Sequence, residues 1–149
     1  SEARQFVATF ESKYGSKRPN FSLEAAETTY KNARQSASFF LVYLHSSIHD
    51  STDNFCRNIL CNDEFVSYVN ENFIVWGGDV DQRDAYMTSR VLQATSFPFL
   101  GILHLNLSTI IFTSSVKLYN LSNNISYVFS ALDALLLYGD EKIISPCVE

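Results

Sequence analysis

The cysteines are the residues of this 149-residue chain whose type and spacing most directly suggest chemistry. Cys56 and Cys61 lie five positions apart, and Cys147 lies near the end of the sequence. A thiol becomes a nucleophile or a redox group when its pKa is depressed, for example at the N-terminus of a helix. Five residues of α-helix rise about 7.5 Å, however, and a disulfide tolerates only roughly 7 Å between Cα atoms. We therefore interpret Cys56 and Cys61 as small buried hydrophobic residues that cannot pair unless the helix breaks between them, and Cys147 as a free thiol.

The two histidines that precede these cysteines are candidate metal ligands by residue type. His45 and His49 have H-x-x-x-H spacing, which brings both rings to one side only in a helix, whereas this stretch crosses a strand end and a loop. We predict instead that Asp50, Ser51 or Thr52 caps the helix that follows. A Ser, His and Asp triad stays open as an alternative, without a G-x-S-x-G elbow to support it. The sequence predicts no metal site, no catalytic residue and no cofactor.

Composition and charge restrict the class of protein. With 46% hydrophobic and 18% charged residues, the chain is predicted to fold as one globular domain over residues 1–149. Its net charge of -5 argues against binding nucleic acid, and the densest basic cluster, Lys13, Lys17 and Arg18, is too small to change that conclusion. The longest apolar stretch, Phe97 to Leu105, is about half as long as a bilayer-spanning helix, so we predict no membrane span.

Cysteine usage and the start of the sequence bear on its origin. Three cysteines are few, and their number is odd, so they do not suit a disulfide framework. This indicates a reducing compartment and a cytoplasmic location. The first residues contain neither an initiator Met nor an apolar signal core, so we interpret the chain as a domain excised from a larger protein.

Hydrophobic periodicity predicts the element order α, α, β, α, α, β, α, β, β, α. The helices are indicated by apolar stripes that begin at Ala3, Leu23, Phe55, Phe65, Met87 and Ile125. The run Phe39 to Leu44 has no polar alternation and is predicted to be a central strand covered on both faces. The second strand, Phe73 to Trp76, is predicted to end at Gly77 and Gly78, and a hairpin follows in residues 99–113.

A further helix is predicted after the second strand. Met87, Val91 and Ala94 recur at i, i+4 and i+7, which marks a helix that ends before Pro98, where the fixed φ of proline forbids its continuation.

This order is typical of an α/β fold, a thioredoxin-like sandwich with a mixed central sheet flanked by helices and with an extra N-terminal helix. The redox dithiol of such a fold belongs where the first central strand meets its helix, and here Ser46 to Asp50 contains no cysteine. Pro98 follows Phe97 and precedes a strand, which is the position where such folds keep a cis-proline, so we predict the cis isomer there.

Several strings resemble the UAS domain of UBX-domain proteins, closest to the Fas-associated factor type. The resemblance extends from Phe6 to about Leu105, whereas Val116 to Asn120 departs from it because this segment lacks the family's glycine. The strings are Phe6 to Pro19, Leu41 to His45, Phe55 to Asn58, Leu60-Cys61, Val69 to Phe73, Trp76 to Gly78, and Phe97 to Leu100.

The resemblance implies a noncatalytic thioredoxin-like domain that binds long-chain unsaturated fatty acids and self-associates in response. It also implies a parent protein on the endoplasmic reticulum membrane or lipid droplets that acts in ubiquitin-dependent (ER-associated) degradation. Such parents recruit valosin-containing protein through a UBX domain and ubiquitin through a UBA domain, neither of which is present in this chain. Because a carboxylate headgroup favours a cationic partner, Lys13, Lys17 and Arg18 are the candidate ligand-binding residues.

Two other functions remain open at this point. One is a thiol-dependent oxidoreductase or peroxidase, which would require an exposed Cys56 or Cys61 with a depressed pKa. The other is a protein-interaction scaffold without a small ligand.

Overall fold

The computed structural model describes residues 1–37, 39–105 and 109–114, and it confirms the predicted element order as far as the fourth strand. The predicted last helix, at residues 125–136, lies outside the described residues. The helices are α1 (Glu2–Tyr14), α2 (Ala26–Ala33), α3 (Thr52–Phe55), a π-helix (Cys56–Leu60), α4 (Asp63–Asn72) and α5 (Arg83–Val91), and the strands are β1 (Phe39–His45), β2 (Ile74–Asp79), β3 (Phe99–His104) and β4 (Thr109–Ser114).

The four described strands form one mixed sheet in the order β2-β1-β3-β4. β1 and β2 are parallel and are joined through α3 and α4, whereas β3 is antiparallel to both β1 and β4. His45 pairs with Asp79 in register, so the carboxyl ends of β1 and β2 lie side by side at one edge. The thioredoxin-like sandwich with its extra N-terminal helix is therefore confirmed.

Every residue of β1 is buried, as its unbroken apolar sequence predicts, because helices cover both faces of the sheet. On what we call the first face, Leu41 and Tyr43 pack beneath α1, α3 and α4. On the opposite, second face, Phe40, Val42 and Leu44 pack beneath α2 and α5.

The ends of α1 and α4 follow local sequence signals. Gly15 ends α1 with φ 102°, a conformation that glycine adopts without strain, and its N–H donates to the carbonyl of Glu11. Asn62 caps α4, because its side-chain oxygen accepts a hydrogen bond from the N–H of Phe65 at 3.0 Å. The separate helix that the sequence predicts around Phe65 is therefore confirmed, and it begins after Asn62.

The prediction that Gly77 and Gly78 end the second strand is wrong, because both lie inside β2. A Cβ at Gly77 would lie 2.8 Å from the ring of Phe21 and 2.9 Å from that of Phe6. A Cβ at Gly78 would lie 2.9 Å from the Cβ of Ala85 on α5. Glycine is needed at these positions because elements on both faces approach the strand backbone closely.

Candidate functional site

The loop between β1 and α3 occupies the corner where a thioredoxin-like fold would carry its dithiol, and it contains no cysteine. Hydrogen bonds close the loop internally. The hydroxyl of Thr52 donates to the carbonyl of Ser46 at 2.6 Å, and Nδ1 of His49 lies 2.9 Å from Oγ of Ser46. The corner therefore offers polar side chains but no thiol.

The proline loop lies against the same corner. The ring of His49 meets that of Phe97 edge-on, with centroids 5.8 Å apart. The peptide bond between Phe97 and Pro98 is cis, and Pro98 is buried. The predicted cis isomer at Pro98 is therefore confirmed, and the segment that contains it lies next to the loop between β1 and α3.

Cys56 lies behind this corner in a buried polar cluster with Tyr43 and His45. The hydroxyl of Tyr43 is 2.8 Å from Nδ1 of His45 and 3.4 Å from Sγ of Cys56, and that sulfur is 3.8 Å from Nδ1 of His45. Four further aromatic rings enclose the group, namely Phe6, Phe10, Tyr14 and Phe55. The cluster is a satisfied part of the first-face core.

Burial sets the protonation of this cluster. It raises the pKa of the Cys56 thiol to about 12, because a thiolate is poorly solvated there, although the hydrogen bond to Tyr43 opposes the shift. Burial also lowers the pKa of His45, with the carboxylate of Asp79 acting in the opposite direction. A protonated thiol at 0% exposure is the reverse of what nucleophilic or redox chemistry requires.

Cys61 lies one π-helical turn after Cys56. Its N–H donates to the carbonyl of Cys56 at 3.0 Å, so the α-helical spacing that we assumed between the two cysteines is wrong. Both thiols are nevertheless free. Cys61 is partly exposed, and burial raises its pKa as well. The prediction that both are buried small residues is thus confirmed for Cys56 and only partly for Cys61.

The three predicted ligand-binding cations lie at and beyond the end of α1, and each has a carboxylate partner. Lys13 lies 3.3 Å from Asp53, Lys17 lies 2.7 Å from Asp63, and Arg18 donates to Glu11 from two nitrogens. The Lys13 and Lys17 pairs are exposed and contribute little stability, so an incoming carboxylate could compete for them, whereas the Arg18 side chain is only 17% exposed. Their role in binding stays a prediction.

Lys13 also lines a cavity of about 270 Å³ that lies between α1 and the carboxyl ends of β1 and β2. Its far wall is formed by His45 and Asp79, the last residues of those strands. Glu2 and Asp79 oppose the charge of Lys13 there, so the cavity has no net positive charge to attract an anion.

A larger concave site, of about 480 Å³, lies on the second face between α2 and α5. Met87 and Val91 line it and are 48% and 77% exposed. The helix that they mark in the sequence is confirmed as α5, and Ala94 lies beyond its end. Ala85, Ser89 and Leu92 face the sheet instead. We call this site the α2–α5 groove.

Among the described residues, no three His, Cys, Asp or Glu side chains come together as a metal site. None of the helices in the described part of the chain has both the length and the apolar composition of a bilayer-spanning helix.

Comparisons with solved structures support the fold. The chain superimposes on a thioredoxin from Thermus thermophilus with a TM-score of 0.68 and 12% identity, covering 84% of this chain and 92% of that one. A DsbH oxidoreductase gives a TM-score of 0.61 and 13% identity, over 81% of this chain and 88% of that one. At these identities the likeness shows the fold and does not extend to the activity.

Sequence comparisons show the family. The sequence pattern of Fas-associated factor 1 matches residues 6–114. Plant UBX domain-containing protein 10 of Arabidopsis thaliana is 38% identical over 104 residues, and FAS-associated factor 2 of Bos taurus is 35% identical over 100 residues. These matches cover 68% and 67% of this chain, respectively, and the chain spans only 22% of each relative. The chain therefore belongs to the Fas-associated factor family and carries its thioredoxin-like domain.

Proposed function

We propose that this chain is a noncatalytic binding module of a UBX-type adaptor in ubiquitin-dependent, ER-associated protein degradation. The observation that carries the proposal is the corner between β1 and α3, where the scaffold is kept while the loop has no cysteine. The nearest thiol on the described chain, Cys56, is sealed in the core and stays protonated.

The names of the relatives support the adaptor part of the proposal, because they are Fas-associated factors and a UBX domain-containing protein. This chain covers about a fifth of their length. Valosin-containing protein and ubiquitin are therefore proposed partners of the whole protein, which would lie on the endoplasmic reticulum membrane or on lipid droplets.

The ligand in this proposal is a long-chain unsaturated fatty acid, and its effect is self-association. An alkyl chain is stabilised by about 0.8 kcal/mol for each CH₂ that leaves water, so it binds where apolar side chains remain exposed. Met87 and Val91 provide such a surface. Binding shifts the population toward the conformation, or the assembly, that the ligand favours.

Light scattering coupled to size-exclusion chromatography tests this function directly. The purified 149-residue chain is run alone, with oleate, and with stearate as the saturated control. We expect oleate to increase the molar mass and stearate to leave it near the monomer value. An unchanged mass and an unchanged melting temperature with both lipids would contradict the proposal.

A further inference from the structure

We call the end of the α2–α5 groove where its two helices are tied together the closed end, and the end where both helices finish the open end. At the closed end, the N–H of Ala26 donates to Oδ2 of Asp84 at 2.8 Å, which ties together the first turns of the two helices. From that point both helices run along the groove, over a floor formed by Phe40, Val42 and Leu103. An alkyl chain would therefore enter from the end where α2 and α5 finish.

The walls of the groove are mainly apolar, and part of this apolar surface is exposed. Tyr30 contributes from α2, and Met87, Val91 and Leu92 contribute from α5 and its end. Met87 and Val91 are one helical turn apart and form a continuous apolar strip facing solvent. Because exposed apolar surface that is contiguous is more informative than single exposed residues, this strip is the candidate contact surface for an apolar ligand.

The size of the groove favours a small molecule over a protein. Its volume of about 480 Å³ falls within the roughly 300–1,000 Å³ of small-molecule sites. The flanking helices have 8 and 9 residues and are therefore only about 12–14 Å long. With the roughly 10 Å spacing of neighbouring helices, a mouth of that length covers about 120–140 Å², far less than the roughly 800 Å² that each partner buries in a standard protein interface.

The charge at the open end favours an anionic head. Tyr30 and Arg34 lie one turn apart on α2 and its C-cap, and the guanidinium carbon of Arg34 is 5.9 Å from the centroid of the Tyr30 ring. Arg34 forms no ion pair with any residue that the structure describes. Two carboxylates also line the groove. Glu27 is paired with Lys31 at 3.3 Å, and Asp84 accepts the hydrogen bond from Ala26 at the opposite end from Arg34.

We propose that the α2–α5 groove holds the alkyl chain of a long-chain carboxylate, and that Arg34 binds its carboxylate at the open end. This proposal rests on the proposed function and assigns its ligand site. It differs from the assignment to Lys13, Lys17 and Arg18, each of which already has a carboxylate partner. A guanidinium without such a partner can bind a carboxylate in bidentate geometry without first breaking an ion pair.

Isothermal titration with oleate, kept below its micelle concentration, tests the groove through a double variant, Met87→Gln with Val91→Gln. Both side chains are exposed, so the variant is expected to fold. We expect its dissociation constant for oleate to rise roughly tenfold, because the wall of the groove becomes polar. Ile48→Gln is the matched control, since Ile48 is 82% exposed on the β1–α3 loop and touches no part of the groove.

The headgroup is tested in the same titration by Arg34→Gln, with Arg57→Gln as its control. We expect roughly two- to fivefold weaker binding for Arg34→Gln, decreasing with added salt. Arg57 lies over the ring of Tyr14 on the first face, so its variant should bind like the wild type.

The results separate the site from the function. If the wild type binds oleate and the groove variants bind equally well, the groove assignment is wrong and the proposed function stands. If the groove variants bind oleate normally but lose self-association, the groove is a protein interface and the assignment is again wrong. If the wild type binds no oleate, both proposals fail.

Discussion

The two faces of the sheet are covered in different ways. Aromatic side chains of α1, the following loop and α3 cover the first face except at the cavity beside α1. Successive ring centroids lie 5.3 to 6.5 Å apart around Phe6, Phe10, Phe21 and Tyr43. The second face is covered by two short helices that contribute small residues, such as Ala33 and Ala85, and that leave a groove between them.

The difference teaches where this domain can and cannot interact with other molecules. The residues that look most reactive in the sequence, Cys56 and His45, belong to the aromatic first face, where Cys56 is fully buried and His45 is buried at the wall of the cavity beside α1. The exposed apolar residues Met87 and Val91 belong to the open face. The residue types that suggest catalysis therefore lie on the first face, whereas the exposed apolar side chains that could contact another molecule lie on the second.

The largest expected effect comes from opening the first face. Phe10 is 2% exposed and packs against Phe6, Tyr14 and Phe21. We expect Phe10→Ala to lower the free energy of unfolding by about 3–5 kcal/mol, because it leaves a cavity among rings that cannot collapse. Urea denaturation followed by circular dichroism measures this loss of free energy. A loss below about 1 kcal/mol would show that Phe10 is not tightly packed among the neighbouring rings.

The next effect concerns the close approach of Phe21 to β2. Gly77→Ala places a Cβ within 2.8 Å of that ring, and we expect a loss of about 1–3 kcal/mol. Phe21→Leu should reduce the additional cost of the glycine substitution, because a smaller side chain can move away. A double-mutant cycle in urea measures this coupling, and strict additivity of the two losses would contradict the contact.

Acidification should destabilise the first face through His45. Its pKa is lowered in the folded state by burial, so between that lowered pKa and the unfolded value of about 6.5 the unfolded chain binds the proton and the folded chain does not. Stability therefore falls as the pH falls below about 6.5, by at most about 1.4 kcal/mol per pH unit from this group.

The measurement compares urea midpoints from pH 7.5 to pH 5 for the wild type, for His45→Gln, and for His49→Gln as a matched loss of an imidazole. We expect the slope to decrease in His45→Gln only. The pKa of Asp53 is also lowered, mainly by the hydrogen bond from Tyr14, and its contribution is lost at lower pH, around and below 4. Identical slopes in all three proteins would contradict the buried, neutral His45.

The smallest expected effect is on the second face. Met87→Ala should change the free energy of unfolding by no more than about 0.5 kcal/mol, because its side chain is half exposed. The same denaturation series that includes Phe10→Ala supplies the comparison. A loss above about 2 kcal/mol would mean that the groove is part of the core and not an open site.

Much of the fold follows from the sequence because the signals are local. The run at β1 predicts burial on both faces, Gly15 ends α1, and Asn62 caps α4, and each is a matter of a few neighbouring residues. The corner without cysteine could also be predicted, since it requires only the position of a loop after β1.

The rest depends on contacts that a single segment does not encode. Met87 and Val91 have the spacing of a buried stripe, but the small side chains of Ala85 and Ser89 allow α5 to approach the sheet on its other side. The glycines in β2 are explained only by the elements that approach them from both faces. The π-helix Cys56–Leu60 could not be predicted, because the pattern of apolar and polar residues does not distinguish it from an α-helix.

The central claim is that the thioredoxin scaffold is kept here without its thiol chemistry, and the labelling rate of Cys56 tests it most directly. A pKa of about 12, compared with the ordinary 9.0, leaves roughly a thousandfold less thiolate at neutral pH, and burial slows the reagent further. Native protein is treated with iodoacetamide at pH 7 and each cysteine is followed by peptide mass spectrometry, with the urea-unfolded chain as the reference. We predict that Cys56 in the native chain reacts at least a thousandfold more slowly than in the unfolded chain, and a native rate equal to or above the unfolded rate would contradict the account.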